Sequence, residues 1–218
     1  RGVISAARAS QAVIFTSGVD LGPCAFVGAA NRAHGHAVPV IGVVNRNRVT
    51  WPGDERRDGG GGGGGGGRRK RRRRRTPLQP DHTHFVTLGA EDALSCTRFS
   101  FQLVNRVTNA GKLPSIALVI NGGVNAMAAV LLAVREGMPI VVIRGTGGLA
   151  DLLSQAKADP LAFVSDNDIM EIVQDGHIEF FEISEIDGGI VNEMLLRLFG
   201  HSDDTPDGGV DAPKTRTI

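Results

Sequence analysis

The chain has 218 residues, 41% of them apolar and 5% aromatic, enough for one main core of ordinary size with appendages. Its formal charge of +1 conceals a split: eight of the 24 basic residues form one run, Arg68 to Arg75, which leaves 16 against 23 acidic residues elsewhere. An acidic globular part argues against a folded nucleic-acid surface, because phosphate binding needs basic side chains spread over one face.

The chain opens at Arg1 without a methionine, inside a helix-like stretch carrying Val3, Ile4 and Ala7, and reads as a piece of a longer protein. No apolar run approaches the roughly 18 residues of a membrane span, and no signal-peptide pattern stands at the start. Cys24 and Cys96 sit in no metal-ligand or redox spacing. The expectation is a soluble domain of a reducing, cytoplasmic compartment, with both cysteines as buried apolar fillers.

Residues 11–16 read as a buried strand, 23–33 as a helix with Pro23 in its first turn, and 38–44 as a second strand, making one β-α-β unit. From 46 to 79 the pattern collapses: nine consecutive glycines, Gly59 to Gly67, abut the Arg/Lys run. With nothing to bury and strong self-repulsion, this segment is expected to be a disordered insertion in a domain spanning residues 1–200. Order resumes with a strand over 82–88 and a helix over 91–109, stopped by Gly111. Strands follow over 114–120 and 138–143, with a helix over 124–136 between them that ends at Gly137. Helices over 149–158 and 166–173, a strand over 177–183, a helix over 186–199 and a polar tail over 201–218 complete the order. Strands apolar at every position imply burial on both faces. The fold class is therefore α/β, a three-layer Rossmann-like, mostly parallel sheet of five or six strands with helices on both faces.

Three glycine-bearing junctions each follow an apolar strand and precede a helix: Ser17 to Gly22, Asn121 to Asn125, and Gly145 to Asp151. Parallel strands joined by right-handed crossovers bring such loops to one edge, where helix N-termini and glycine backbone bind phosphates. Ser17, Gly18, Asp20, Gly22, Gly122, Gly123, Asn125, Gly145, Thr146 and Gly147 are thus the candidate residues for a nucleotide ligand. Gly145 to Gly148 is the best phosphate loop, with Thr146 offering a hydroxyl and Asp151 favouring the helix end electrostatically. Asp20 and Asn125 either cap helices or contact ribose and base.

His82 and His84 share one face if 82–88 is a strand, but no third ligand supports a metal site, so packing or hydrogen bonding is the expectation. No Ser-His-Asp order, Cys-His pair or phosphate-binding lysine motif is present. Catalytic residues and a resident cofactor are accordingly not expected.

Leu78 with Pro80-Asp-His-Thr-His-Phe85 resembles the Leu-Asp-Pro-Asn-His-Thr-His-Phe signature in the N-terminal cytosolic region of melastatin-type transient receptor potential (TRPM) channels. Asn121-Gly-Gly-Val-Asn125 resembles that family's Glu-Gly-Gly-Pro-Asn segment, and Val141 to Leu153 its strand, Gly-Ser-Gly turn and Ala-Asp-Leu-Leu helix. Ile41 to Val44 is similar to its Ile-Gly-Ile-Ala stretch, and the likeness runs in order from about Gly2 to Pro160. Ser17 and Asp20 replace the usual Gly and Asn, Asn121 replaces Glu, and Gly148 stands where the channels often carry Arg. In the family a further strand and its glycine turn precede the first helix, which places them before Arg1.

The resemblance implies a domain of the SLOG superfamily, Rossmann-like nucleotide binders, here sensing a nucleotide or ADP-ribose-like ligand. Its context is then a TRPM-like cation channel or a free-standing homologue, with other channel domains or a second copy of the chain as partners. The alternative within the superfamily is a LOG-like nucleoside-monophosphate phosphoribohydrolase. LOG enzymes carry Pro-Gly-Gly-x-Gly-Thr-x-x-Glu, and aligning its paired glycines on Gly122 and Gly123 puts Ala129 where the acid stands. That substitution favours sensing over turnover. The run Arg68 to Arg75 suits an anionic membrane surface or a nuclear-import signal, against a low-complexity insertion of no specific role.

Overall fold

A computed structural model of the chain describes residues 2–51, 75–89, 92–108 and 112–182. The glycine tract, Arg68 to Arg74, Gly111, the helix expected over 186–199 and the polar tail lie outside the described residues.

Helix α1 (Gly2–Ala9) is followed by β1 (Ile14–Thr16), α2 (Gly22–Ala33) and β2 (Val40–Asn45). Strand β1 starts later than its apolar run suggests, because Gln11 takes a left-handed conformation (φ 54°) as the chain leaves α1. There the N–H groups of Gln11 and Ala12 bond back to Arg8 O and Ala7 O, terminating the helix. Two short strands, β3 (Val49–Thr50) and β4 (Thr76–Pro77), pair in parallel, and β5 (His84–Leu88) follows.

The segment 46–79 is therefore not without packing at its ends. Val49 is buried, Gln79 is buried, and the Arg46 guanidinium lies 4.8 Å from the Trp51 ring centroid. A pair of two-residue strands leaves no periodicity in the sequence, and neither end of the pairing is local to the other.

The second half comprises α3 (Ala93–Val107), β6 (Ala117–Ile120), α4 (Val124–Arg135), β7 (Ile140–Arg144), α5 (Gly148–Ala158), a 3-10 turn over Pro160–Phe163, α6 (Asn167–Asp175) and β8 (Ile178–Glu182). Two of these helices, α3 and α6, are capped by aspartates. Asp92 Oδ1 accepts from Ser95 N at 2.6 Å, and Asp166 Oδ1 accepts from Ile169 N at 3.1 Å. Gly137 (φ 65°) ends α4, with its N–H on Val134 O and that of Met138 on Ala133 O.

Strands β1, β2 and β5 form one parallel sheet in the order β1-β2-β5, and β6, β7 and β8 form another in the order β6-β7-β8. Alternation along β7 shows the layers. Ile140 and Val142 pack with Leu131 of α4, Leu153 of α5 and Ile169 and Ile172 of α6, whereas Val141 and Ile143 pack with Ala6 of α1. Leu153, Ile169 and Ile172 are fully buried, each contributing roughly 1.5–3 kcal/mol of apolar transfer.

Helix α1 spans the two sheets. Its Ala6 lies on the β7 side, while Ile4 and Ala7 pack with Val38 and Val40, alongside Val27 and Ala30 of α2. Helix α3 covers β2 and α4. The result is a parallel, Rossmann-like α/β fold, with helices on both faces. Among the described residues β1 and β6 each pair on one side only, and both edges lie beside α1.

Candidate functional site at the glycine loops

The loops after β6 and β7 interlock. Asn121 adopts a left-handed conformation (φ 56°), and its N–H donates to Thr146 Oγ1 at 2.8 Å. Thr146 passes its own proton to Ile143 O at 2.7 Å. The first turn of α5 then donates into the neighbouring loop, Leu149 N to Gly122 O at 2.9 Å and Ala150 N to Asn121 O at 3.1 Å. Gly148 is required for this approach, since a Cβ there would run into Gly122 O and Asn121 Oδ1. Gly148 thus serves close loop packing, where an arginine side chain has no room for its first carbon.

Gly145 and Gly147 do not present open N–H groups. Asp151 Oδ1 accepts from Gly145 N at 2.7 Å and Oδ2 from Gly147 N at 3.1 Å, so a carboxylate of this chain fills the nest that glycines and a helix end would offer a phosphate. From the sequence, Asp151 is expected to favour the α5 end electrostatically and Thr146 to offer its hydroxyl to a phosphate. Both are engaged in fixing the loop.

Helix α4 is left with open donors. Its N-cap, Gly123 (φ −126°), has no side chain to offer, and the first backbone bonds of the helix run from Ala126 N and Met127 N to Gly123 O. Among the described residues the N–H groups of Gly123, Val124 and Asn125 find no acceptor. Val124 is 89% exposed and the Asn125 side chain is exposed as well. A groove of about 160 Å³ runs from here along β6, lined by Asn121, Gly122, Ala126 and Ala129, with Phe101 of α3 and Pro23 of α2 on its sides. Pro23 lies in the first turn of α2, so the start of that helix borders the groove.

The first glycine loop is held differently. Gly18 (φ 68°) is buried where a Cβ would collide with Val44 and Gly42, and its N–H donates to Thr16 Oγ1 at 2.9 Å. Gln79 N donates to Gly18 O, Asp20 N to Pro77 O, and Val19 bridges Leu78, so the loop is stapled to the end of the inserted segment. Ser17 Oγ lies 3.2 Å from Cys24 Sγ. Cys24 is half-buried and lines this loop, unlike Cys96, which is buried as expected. The N-cap of α2 is Leu21 and that of α4 is Gly123, so neither Asp20 nor Asn125 caps a helix; both side chains are exposed. Gly22 (φ 51°) has open space around it.

The histidines separate. Because β5 begins at His84, His82 lies before the strand and is buried, with its ring stacked on Phe85 at 5.8 Å, while His84 is exposed and bonded to Thr83. Burial holds the His82 imidazole below its ordinary pKa, an effect partly offset by the neighbouring Asp81 charge. Among the described residues no group of three His, Cys, Asp or Glu side chains is arranged to hold a metal ion.

His82 is packed and hydrogen-bonded as expected, and two further participants stand outside the candidate residues. Thr16 anchors the first loop together with His82, and Arg144, directly before Gly145, places a cation beside the third loop with its Nε 3.0 Å from Glu182 Oε1. Arg144 was legible as the one charged residue closing an apolar strand. The pairing of Thr16 with His82 spans 66 residues and had no local signal.

A family model described as SLOG in TRPM, prokaryote, matches residues 1–191. The chain belongs to this family. The SLOG domain is similar to the mouse transient receptor potential cation channel subfamily M member 1, 30% identical over 176 residues, covering 72% of this chain and 10% of that protein. It is 28% identical to mouse member 6 over 174 residues (71% and 8%), and 25% identical to human member 5 over 181 residues (73% and 16%). The chain thus corresponds to a small part of each channel's length. Among the described residues no helix is long and apolar enough to cross a membrane.

Proposed function

We propose that this SLOG domain senses a nucleotide or ADP-ribose-like ligand at the glycine-loop edge and does not turn it over. The observation that carries this reading is the open N-terminus of α4. Thr146, Leu149 and Ala150 hold the Asn121–Gly122 turn rigidly, and the N–H groups of Gly123, Val124 and Asn125 stand beyond it with no acceptor among the described residues. A phosphate suits that end, and Ser17, Asp20 and Asn125 offer polar contacts for ribose or base around it.

Against turnover, Ala129 lines the groove where a LOG-like enzyme would need its acid. The kinship with TRPM channels supports a regulatory role in the cytosolic part of a channel-like protein, or in a free-standing homologue. The test joins binding to chemistry. AMP and ADP-ribose should each raise the melting temperature with concentration, while prolonged incubation yields no free base by chromatography. Sustained release of adenine from AMP, lost on mutation of Asp20, would replace sensing by hydrolysis.

A further inference from the structure

The hydrogen bonds between the start of β5 and the first glycine loop fix where every proton lies. Asp81 N–H donates to Gln79 Oε1 at 2.6 Å, which orients that amide. The same oxygen is 3.1 Å from His82 Nδ1, so Nδ1 carries the imidazole proton. Nε2 is then a lone pair, receiving the Thr16 hydroxyl proton at 2.6 Å, and Thr16 Oγ1 in turn accepts from Gly18 N at 2.9 Å. His82 thereby sets the orientation of the hydroxyl that holds Gly18. The charged groups facing it are few: Asp81 on its own segment, paired with Arg32 of α2 at 3.5 Å. Thr16 of β1, Gln79 and Phe85 of β5 are uncharged.

We propose that His82 is a proton-operated latch on the first glycine loop, tight when the imidazole is neutral and loosened when Nε2 is protonated. A proton on Nε2 turns an acceptor into a second donor aimed at Thr16 Oγ1, so the hydroxyl must take both N–H groups on its two lone pairs and turn its own proton away from the ring, which alters its bond to Gly18 N. Burial opposes the charged ring, so the latch stays tight at neutral pH and loosens on the acid side of 6.5. Its consequence for ligand affinity rests on the proposed role of residues 17–22 at the binding edge. The mechanical coupling does not.

The decisive experiment is an NMR titration of the 218-residue chain without ligand, from about pH 8 to about pH 5, following the His82 ring nitrogens and the Gly18 amide together. The Gly18 amide should move with the His82 midpoint, below 6.5. In His82→Gln the Gly18 amide should stay flat. A static Gly18 while His82 titrates, a His82 midpoint at or above 6.5, or the same Gly18 inflection in His82→Gln would each overturn the latch. Should His82→Gln fail to fold, the wild-type titration decides alone. Calorimetry with AMP across the same range separates the two proposals. Affinity should fall by up to about tenfold per pH unit below the midpoint; constant affinity overturns the regulatory role, and absence of heat at any pH removes the ligand reading while the Gly18 titration still judges the latch.

Discussion

The Asp151 carboxylate bonds the backbone N–H of Gly145 at 2.7 Å, closing from one turn into α5 the loop from which that helix starts. With Gly147 N held at 3.1 Å by the other oxygen, one side chain replaces the external anion this loop geometry would attract. The loop is a structural brace. Its hydroxyl and first helical amides serve the Asn121–Gly122 turn, and its carboxylate holds the Gly145 and Gly147 amides of the loop itself.

Removing the brace should be felt as stability. Asp151→Ala leaves the Gly145 and Gly147 amides without their acceptor, and we expect a loss of about 1–3 kcal/mol in denaturant unfolding. Asp151→Asn keeps one carbonyl oxygen and should recover part of it. A change below about 0.5 kcal/mol for the alanine variant would show that the loop holds without its carboxylate.

Gly28 tests the packing beneath the first loop. A Cβ there would strike the Gln79 amide, which is buried and bonded to both Asp81 N and His82 Nδ1, so it has no free direction in which to yield. We expect Gly28→Ala to destabilise by about 1–3 kcal/mol despite the better helix propensity of alanine. Thermal melting of the two proteins side by side checks this, and an unchanged or higher midpoint would mean the Gln79 network gives way easily.

His82 also makes stability depend on pH, with a definite sign. Its folded-state pKa lies below the ordinary 6.5, so the folded form binds the proton less readily than the unfolded form. The stabilisation is complete above about 6.5 and is lost as pH falls through the lowered folded value. Unfolding free energies on either side of that window should converge between wild type and His82→Gln at the acid end. A wild-type advantage that grows on acidification would reverse the sign and refute the assignment.

The layers were legible in the residues themselves. Ile140 to Ile143 is apolar at each position and is sandwiched between α1 and the α4–α6 layer, and Gly137 stops α4 with the backbone bonds its position announced. What escaped is non-local. Val49–Thr50 and Thr76–Pro77 are too short to show a period and pair across the insertion, and His82 looked like a strand partner of His84 until the strand proved to begin two residues later. At the loops, glycine spacing marks the turns after β6 and β7, which interlock, but which N–H groups remain open depends on where Asp151 and Thr146 fold back. No spacing rule encodes that.

Ligand recognition by the N-terminus of α4 stands or falls on calorimetry of AMP and ADP-ribose with wild type and Val124→Pro. Val124 is the first residue of the helix, 89% exposed, and follows an extended Gly123, so proline fits the backbone there and deletes only an N–H. Loss of one bond to a charged group is worth about 1.5–3 kcal/mol, and affinity should fall by about 10- to 100-fold with the melting temperature little changed. Equal affinity in the two proteins, or no binding of either nucleotide by wild type, would contradict it.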